Sequence, residues 1–130
     1  MTSYNVMTKI HVWIGYSLKS SDEFYEYFSI DEADKEAGIG ASQFDKDLHM
    51  HWYDDDLIGI YFSEVNNSLD TALDEIATSP ATIDDIRAKC SELGITEANA
   101  MFYYMNSELE VSDNSKKYNG LTYLGIFDND

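Results

Sequence analysis

The chain lacks most of what would reveal a role at once. It has a single cysteine, Cys90, so no internal disulfide can form and a reducing compartment suits it. Basic residues are scarce: 8 Lys and Arg stand against 25 Asp and Glu, a net charge of -17. A surface so poor in cations repels phosphate backbones, which argues against direct nucleic-acid binding. No apolar run approaches the length of a membrane helix. The start, Met1-Thr2-Ser3-Tyr4-Asn5-Val6, has neither the basic residues nor the apolar run of a signal peptide. Internal repeats, linkers and low-complexity segments are also missing. The expectation is one cytoplasmic domain spanning 1–130, with no membrane partner.

Chemistry-bearing motifs are missing as well. There is no Gly-x-Ser-x-Gly elbow, no phosphate-binding glycine loop and no zinc-protease His-Glu-x-x-His. Cys90 falls on the apolar stripe of a predicted helix, where a thiol is buried and inert. His11 shares a strand face with Trp13 and reads as a packed core histidine, not a base. His49, His51, Asp54, Asp55 and Asp56 crowd together, but their spacing fits no zinc or calcium motif, so no metal and no cofactor are expected.

What is present is a good core. Lys9-Ile10-His11-Val12-Trp13-Ile14-Gly15-Tyr16 reads as a strand inside a sheet. Ile10, Val12, Ile14 and Tyr16 would share one face, and His11, Trp13 and Gly15 the other. Ser20 and Glu23 form a capping box for a helix near 21–29, with Phe24, Tyr27 and Phe28 on its buried side. Asp31 to Glu36 reads as a charged loop, and Gly38 and Gly40 as a break. Ser42 would cap a second short helix burying Phe44 and Leu48. Leu57 to Phe62 reads as a strand apolar on both faces, ended by a turn at Asn66-Asn67. Trp52 and Tyr53 could begin a strand that the aspartates interrupt.

Ser68 would cap a helix with the stripe Leu69, Ala72, Leu73, Ile76 and Ala77. Thr82 would cap another, burying Ile83, Ile86, Cys90 and Leu93 and ending at Gly94. Ala98 to Met105 and Leu121 to Phe127 read as strands, expected to pair with each other across a long polar loop, Asn106 to Gly120. The fold class expected is α+β: a mixed, mostly antiparallel sheet of four or five strands covered by three or four helices.

Charge and aromatics carry the functional signal. The acidic excess is spread evenly, with 13 acids and 4 bases in residues 1–65 and 12 and 4 in residues 66–130. Such a surface attracts a cationic protein and speeds the encounter. Ten tyrosines are many for this length. Phe24, Phe28 and Phe102 read as core. Tyr25 lies off its helix's apolar stripe, and Tyr53 adjoins three consecutive aspartates. An aromatic beside carboxylates suits an interface, so Tyr53, Asp54, Asp55 and Asp56 are the expected partner-binding residues.

Taken in order, several stretches resemble a known family: His11-Val12-Trp13-Ile14-Gly15, Glu23-Phe24-Tyr25-Glu26-Tyr27-Phe28, Ser42-Gln43-Phe44-Asp45-Lys46-Asp47, Trp52-Tyr53-Asp54-Asp55-Asp56, Glu97-Ala98-Asn99-Ala100 and Tyr123-Leu124-Gly125-Ile126-Phe127. The chain is similar, from Ile10 to Asp128, to the bacterial polymorphic-toxin immunity proteins of the immunity protein twenty-two family. Trp13, Gly15 and Phe44 match motif positions and read as structural. The resemblance implies a small α+β protein, encoded beside a secreted toxin, that binds and neutralises it in the producing cell. It implies no enzyme and supplies no catalytic residue.

The partner expected is a cognate toxin domain, basic and in particular a nuclease, blocked by occlusion of its active groove. A nucleic-acid mimic or anti-restriction inhibitor is the alternative, and a small acidic ligand-binding domain or enzyme the third reading.

Overall fold

The computed structural model describes residues 8–30, 42–50, 53–54, 56–111, 113 and 115–129. Residues 1–7, the expected charged loop 31–36, the expected break at Gly38 and Gly40, and His51, Trp52 and Asp55 lie outside the described residues. The fold is α+β. Among the described residues five strands form one antiparallel sheet: β1 Lys9–Gly15, β2 Ile58–Ser68, β3 Glu97–Tyr104, β4 Lys117–Tyr118 and β5 Leu121–Asp128. Their order in the sheet is β2-β3-β1-β5-β4. Helices α1 Ser21–Glu26, α2 Gln43–Asp47, α3 Leu69–Leu73 and α4 Pro80–Glu92 cover it.

The alternation along β1 divides the interior into two layers of different chemistry. Ile10, Val12 and Ile14 join Leu69, Leu73, Ile76, Ile86, Cys90 and Met101 in an aliphatic layer. Trp13 joins Phe24, Phe44, Phe102, Tyr118 and Leu121 in an aromatic one. Trp13 lies directly opposite Phe102 across the β1–β3 ladder, their rings stacked 4.8 Å apart. A cross-strand aromatic pair of this kind adds about 0.5–1.5 kcal/mol beyond its buried area. Two capping boxes seat the small helices on the aromatic layer, Ser20 with Glu23 at α1 and Ser42 with Asp45 at α2.

Several expectations need correction. β3 and β5 do not pair with each other; β1 lies between them and bonds to both. Loop length fixed no neighbour here, because β1, buried from Ile10 to Ile14, takes the middle place in the sheet. The segment 106–120 holds β4, joined to β5 by a two-residue turn in which Asn119 (φ 54) and Gly120 (φ 82) both adopt positive φ. That is the hairpin turn an Asn-Gly pair favours.

Asn66-Asn67 is no turn: β2 runs to Ser68, with a break in register between Phe62 and Asn67. Tyr53 begins no strand, since β2 starts at Ile58. The cap of α4 is Ser79, whose side chain accepts from Thr82 N–H, with Pro80 in the first turn. Thr82 is instead buried, its hydroxyl donating to the carbonyl of Asp128. Leu93 is 46% exposed, because it sits at the C-cap where the helix leaves the core. Tyr16, past the end of β1, is 55% exposed and does not join the face of Ile10.

Candidate protein-binding surface

Tyr53, Asp54 and Asp56 stand at the entrance to β2. Asp54 opens a tight turn: its carbonyl accepts from Leu57 N–H at 3.0 Å and its Oδ1 from Asp56 N–H at 3.0 Å. This side chain to backbone bond is a local reason for an aspartate there. The N–H of Asp54 donates to the hydroxyl of Tyr104 at 2.9 Å, which ties the turn to the end of β3. Burial lifts the Tyr104 hydroxyl above its usual range. Asp54 and Asp56 are exposed.

Tyr53 is half-buried, packed edge-on against Phe44 at 5.3 Å, with its hydroxyl donating to the carbonyl of Phe28 at 2.7 Å. It therefore anchors the turn to the aromatic layer while part of it reaches the surface. Of the expected partner-binding residues, the structure brings Tyr53, Asp54 and Asp56 together. Asp55 is not among those described.

The acidic excess is uneven along the sequence. Residues 48–86 hold nine carboxylates, those of Asp54, Asp55, Asp56, Glu64, Asp70, Asp74, Glu75, Asp84 and Asp85, and no lysine or arginine. Among the described residues four cations outside this run form ion pairs: Lys9 with Asp128, Arg87 with Asp70 and Asp84 of the run itself, Lys89 with Glu92, and Lys116 with Asp47. Asp47 is the better built of these partners. Burial works against its charged form, but bonds from Tyr27, Gln43 and Lys116 together hold its carboxyl below the usual range.

Other candidate groups are structural. His11 is buried, with Nε2–H donating to the carbonyl of Asn106 at 2.9 Å and Nδ1 accepting from the Tyr123 hydroxyl at 2.7 Å. A carbonyl can only accept, so this network fixes the tautomer. Burial lowers the His11 pKa and pushes the Tyr123 hydroxyl up to about 12. Cys90 is fully buried and its thiol is pushed up to about 11, so its nucleophilic thiolate is suppressed. Among the described residues no three His, Cys, Asp or Glu side chains are grouped to hold a metal ion. Among those residues, too, no helix is long and apolar enough to cross a membrane.

Sequence reasoning missed one surface feature. Leu18 is 88% exposed on the segment after β1, with Tyr16 beside it. Buried Asn99 pins that segment: its Oδ1 accepts from Ser17 N–H, and its Nδ2 donates to the carbonyls of Ser17 and Ser63. An asparagine inside the apolar strand of β3 was the available signal, since a buried amide must find partners.

A family model described as Immunity protein 22 matches residues 10–130. Neither a curated protein nor a solved structure matches the chain.

Proposed function

The chain belongs to the Immunity protein 22 family, so its function is immunity, and we propose that it acts by binding a basic toxin domain, in particular a nuclease, and covering its active groove. The observation that carries this reading is the anchored turn at the head of β2, where Tyr53 is half-buried and Asp54 and Asp56 are exposed, in a chain of net charge -17. A nuclease groove is lined with cations that hold phosphates. Carboxylates presented on an anchored turn can occupy those positions, and the surrounding charge steers the encounter. Tyr53 supplies apolar area at low entropy cost beside them. The protein does no chemistry in this scheme. It works in the cytoplasm of the producing cell, where the toxin is made.

The test is capture of the product of the adjacent gene by the tagged protein, followed by association rates at rising salt. A one-to-one complex whose association slows steeply with ionic strength is the expected result. A complex formed at salt-independent rates would remove the electrostatic part of the proposal, and no complex would remove all of it.

A further inference from the structure

The two edges of the sheet are built differently. β4 closes one edge with two residues, one of them Lys117. Among the described residues β2 forms the other, and Ile58-Gly59-Ile60-Tyr61-Phe62 carries no charge and no proline along it. Short strands, lysines and prolines are the usual defences of an edge, and β2 has none over this run. All five residues are partly exposed.

The ladder fixes which backbone groups face outward. Met105 N–H donates to the carbonyl of Leu57, directly opposite it in register, so Leu57 and Met105 are a hydrogen-bonded pair. Bonded and non-bonded pairs alternate in an antiparallel ladder. Gly59 and Tyr61 therefore bond to β3, while Ile58, Ile60 and Phe62 direct N–H and C=O away from the sheet. Their side chains pack on the aromatic layer, with Phe62 5.0 Å from Phe24.

From this geometry we infer that β2 is a strand-addition site, and that its occupant is an extended basic segment of the toxin. The inference rests on the toxin-binding reading above. Charge selects the occupant. Asp54 and Asp56 stand before the open run and Glu64 after it, all three exposed, with no lysine or arginine between 48 and 86. A strand with Lys or Arg flanking an apolar centre would pair its backbone with Ile58, Ile60 and Phe62 and its charges with those carboxylates. A second copy fits poorly. Each copy carries -17, and an antiparallel β2–β2 pair would set Asp54 and Asp56 of one against Glu64 of the other.

Amide hydrogen exchange tests this, first on the free protein and then with the toxin domain encoded by the adjacent gene. In the free protein, Ile58, Ile60 and Phe62 should exchange fast while Gly59 and Tyr61 are protected. In the complex all five should be protected. Ile60→Pro removes one outward N–H and no bond to β3, and should weaken binding about tenfold, the loss of roughly one backbone bond. Ile60→Val, which keeps that N–H, should bind as wild type. Should Ile60→Pro fail to fold, the exchange pattern of the wild type still decides.

A toxin that binds while the three amides stay open would overturn the edge site and leave the toxin-binding reading intact. A toxin that does not bind would overturn both. Protection of the three amides in the free protein, together with a dimer by light scattering, would give the edge to a second copy and overturn the proposal.

Discussion

The ring of Tyr103 occupies the space that a side chain on Gly59 would need. The two residues face each other across the β2–β3 ladder, and a Cβ placed on Gly59 would lie 2.2 Å from the ring. The glycine inside β2 is thus the site where a β3 side chain packs over the strand.

Gly59→Ala should therefore cost about 1–3 kcal/mol by denaturant melting, as overpacking does. Shortening the opposing ring in Gly59→Ala/Tyr103→Leu should recover part of that loss, a non-additive result. An alanine variant as stable as wild type would mean that the ring is free to move aside.

His11 predicts a pH dependence. Its folded pKa lies below the ordinary 6.5, so above neutrality both folded and unfolded states hold it neutral and it contributes no slope. As the pH drops through 6.5 the unfolded state takes up the proton first, and stability falls until the lower folded value is reached. One proton gives a slope of at most about 1.4 kcal/mol per pH unit. Stability measured from pH 7 to 5 should decline in the wild type and decline less in His11→Gln. Equal slopes would remove His11 as the cause.

The aspartate turn separates rate from stability. Asn at 54, 55 and 56 removes three charges but leaves position 54 an oxygen to accept from the N–H of residue 56. Asp54→Asn/Asp55→Asn/Asp56→Asn should keep the melting temperature and slow association with the toxin, with a weaker salt dependence. Tyr53→Ala should act on dissociation and also on stability, since the ring packs on Phe44. Tyr53→Phe isolates the bond to Phe28, worth about 0.5–1.5 kcal/mol. Wild-type kinetics for the triple variant at low salt would move the contact face elsewhere.

Cys90 should resist alkylation in the native protein at neutral pH and react on unfolding. Cys90→Ala should cost about 1–3 kcal/mol from lost packing and leave toxin binding unchanged. Rapid labelling of the native thiol would contradict its burial.

Removing metal should change nothing. Chelator added to the protein is expected to leave its melting temperature where it was. A drop reversed by one divalent ion would restore the His49, His51 and Asp54 cluster as a binding site.

Local signals in the sequence were legible where one principle acted alone. Ser20 with Glu23 marked a helix start, and the alternation from Ile10 to Ile14 assigned two faces that became two cores. Signals failed where a distant partner decided. The neighbours of β1 lie more than 80 residues away in the chain, so nothing near Trp13 announces Phe102 as its partner. Asn66 and Asn67 carry a turn signature, yet bonds from Asn67 to Tyr61 and from Asn66 to Glu97 hold them in β2. Asn119-Gly120 was a local signal that the polar run around it masked. At Tyr53 to Asp56 composition located an exposed acidic turn, but the Tyr104 hydroxyl that anchors it arrives from β3.

The central place of β1 has a consequence for how the protein is made. β1 leaves the ribosome well before both strands that flank it, since β3 and β5 follow it by more than 80 residues. At ordinary elongation rates it waits on the order of ten seconds for them. During that time its apolar residues have no sheet to join, and mutual repulsion along the acidic chain opposes association between nascent copies. The middle of this sheet cannot assemble until β3 and β5 have both emerged, so no surface that rests on it exists before then.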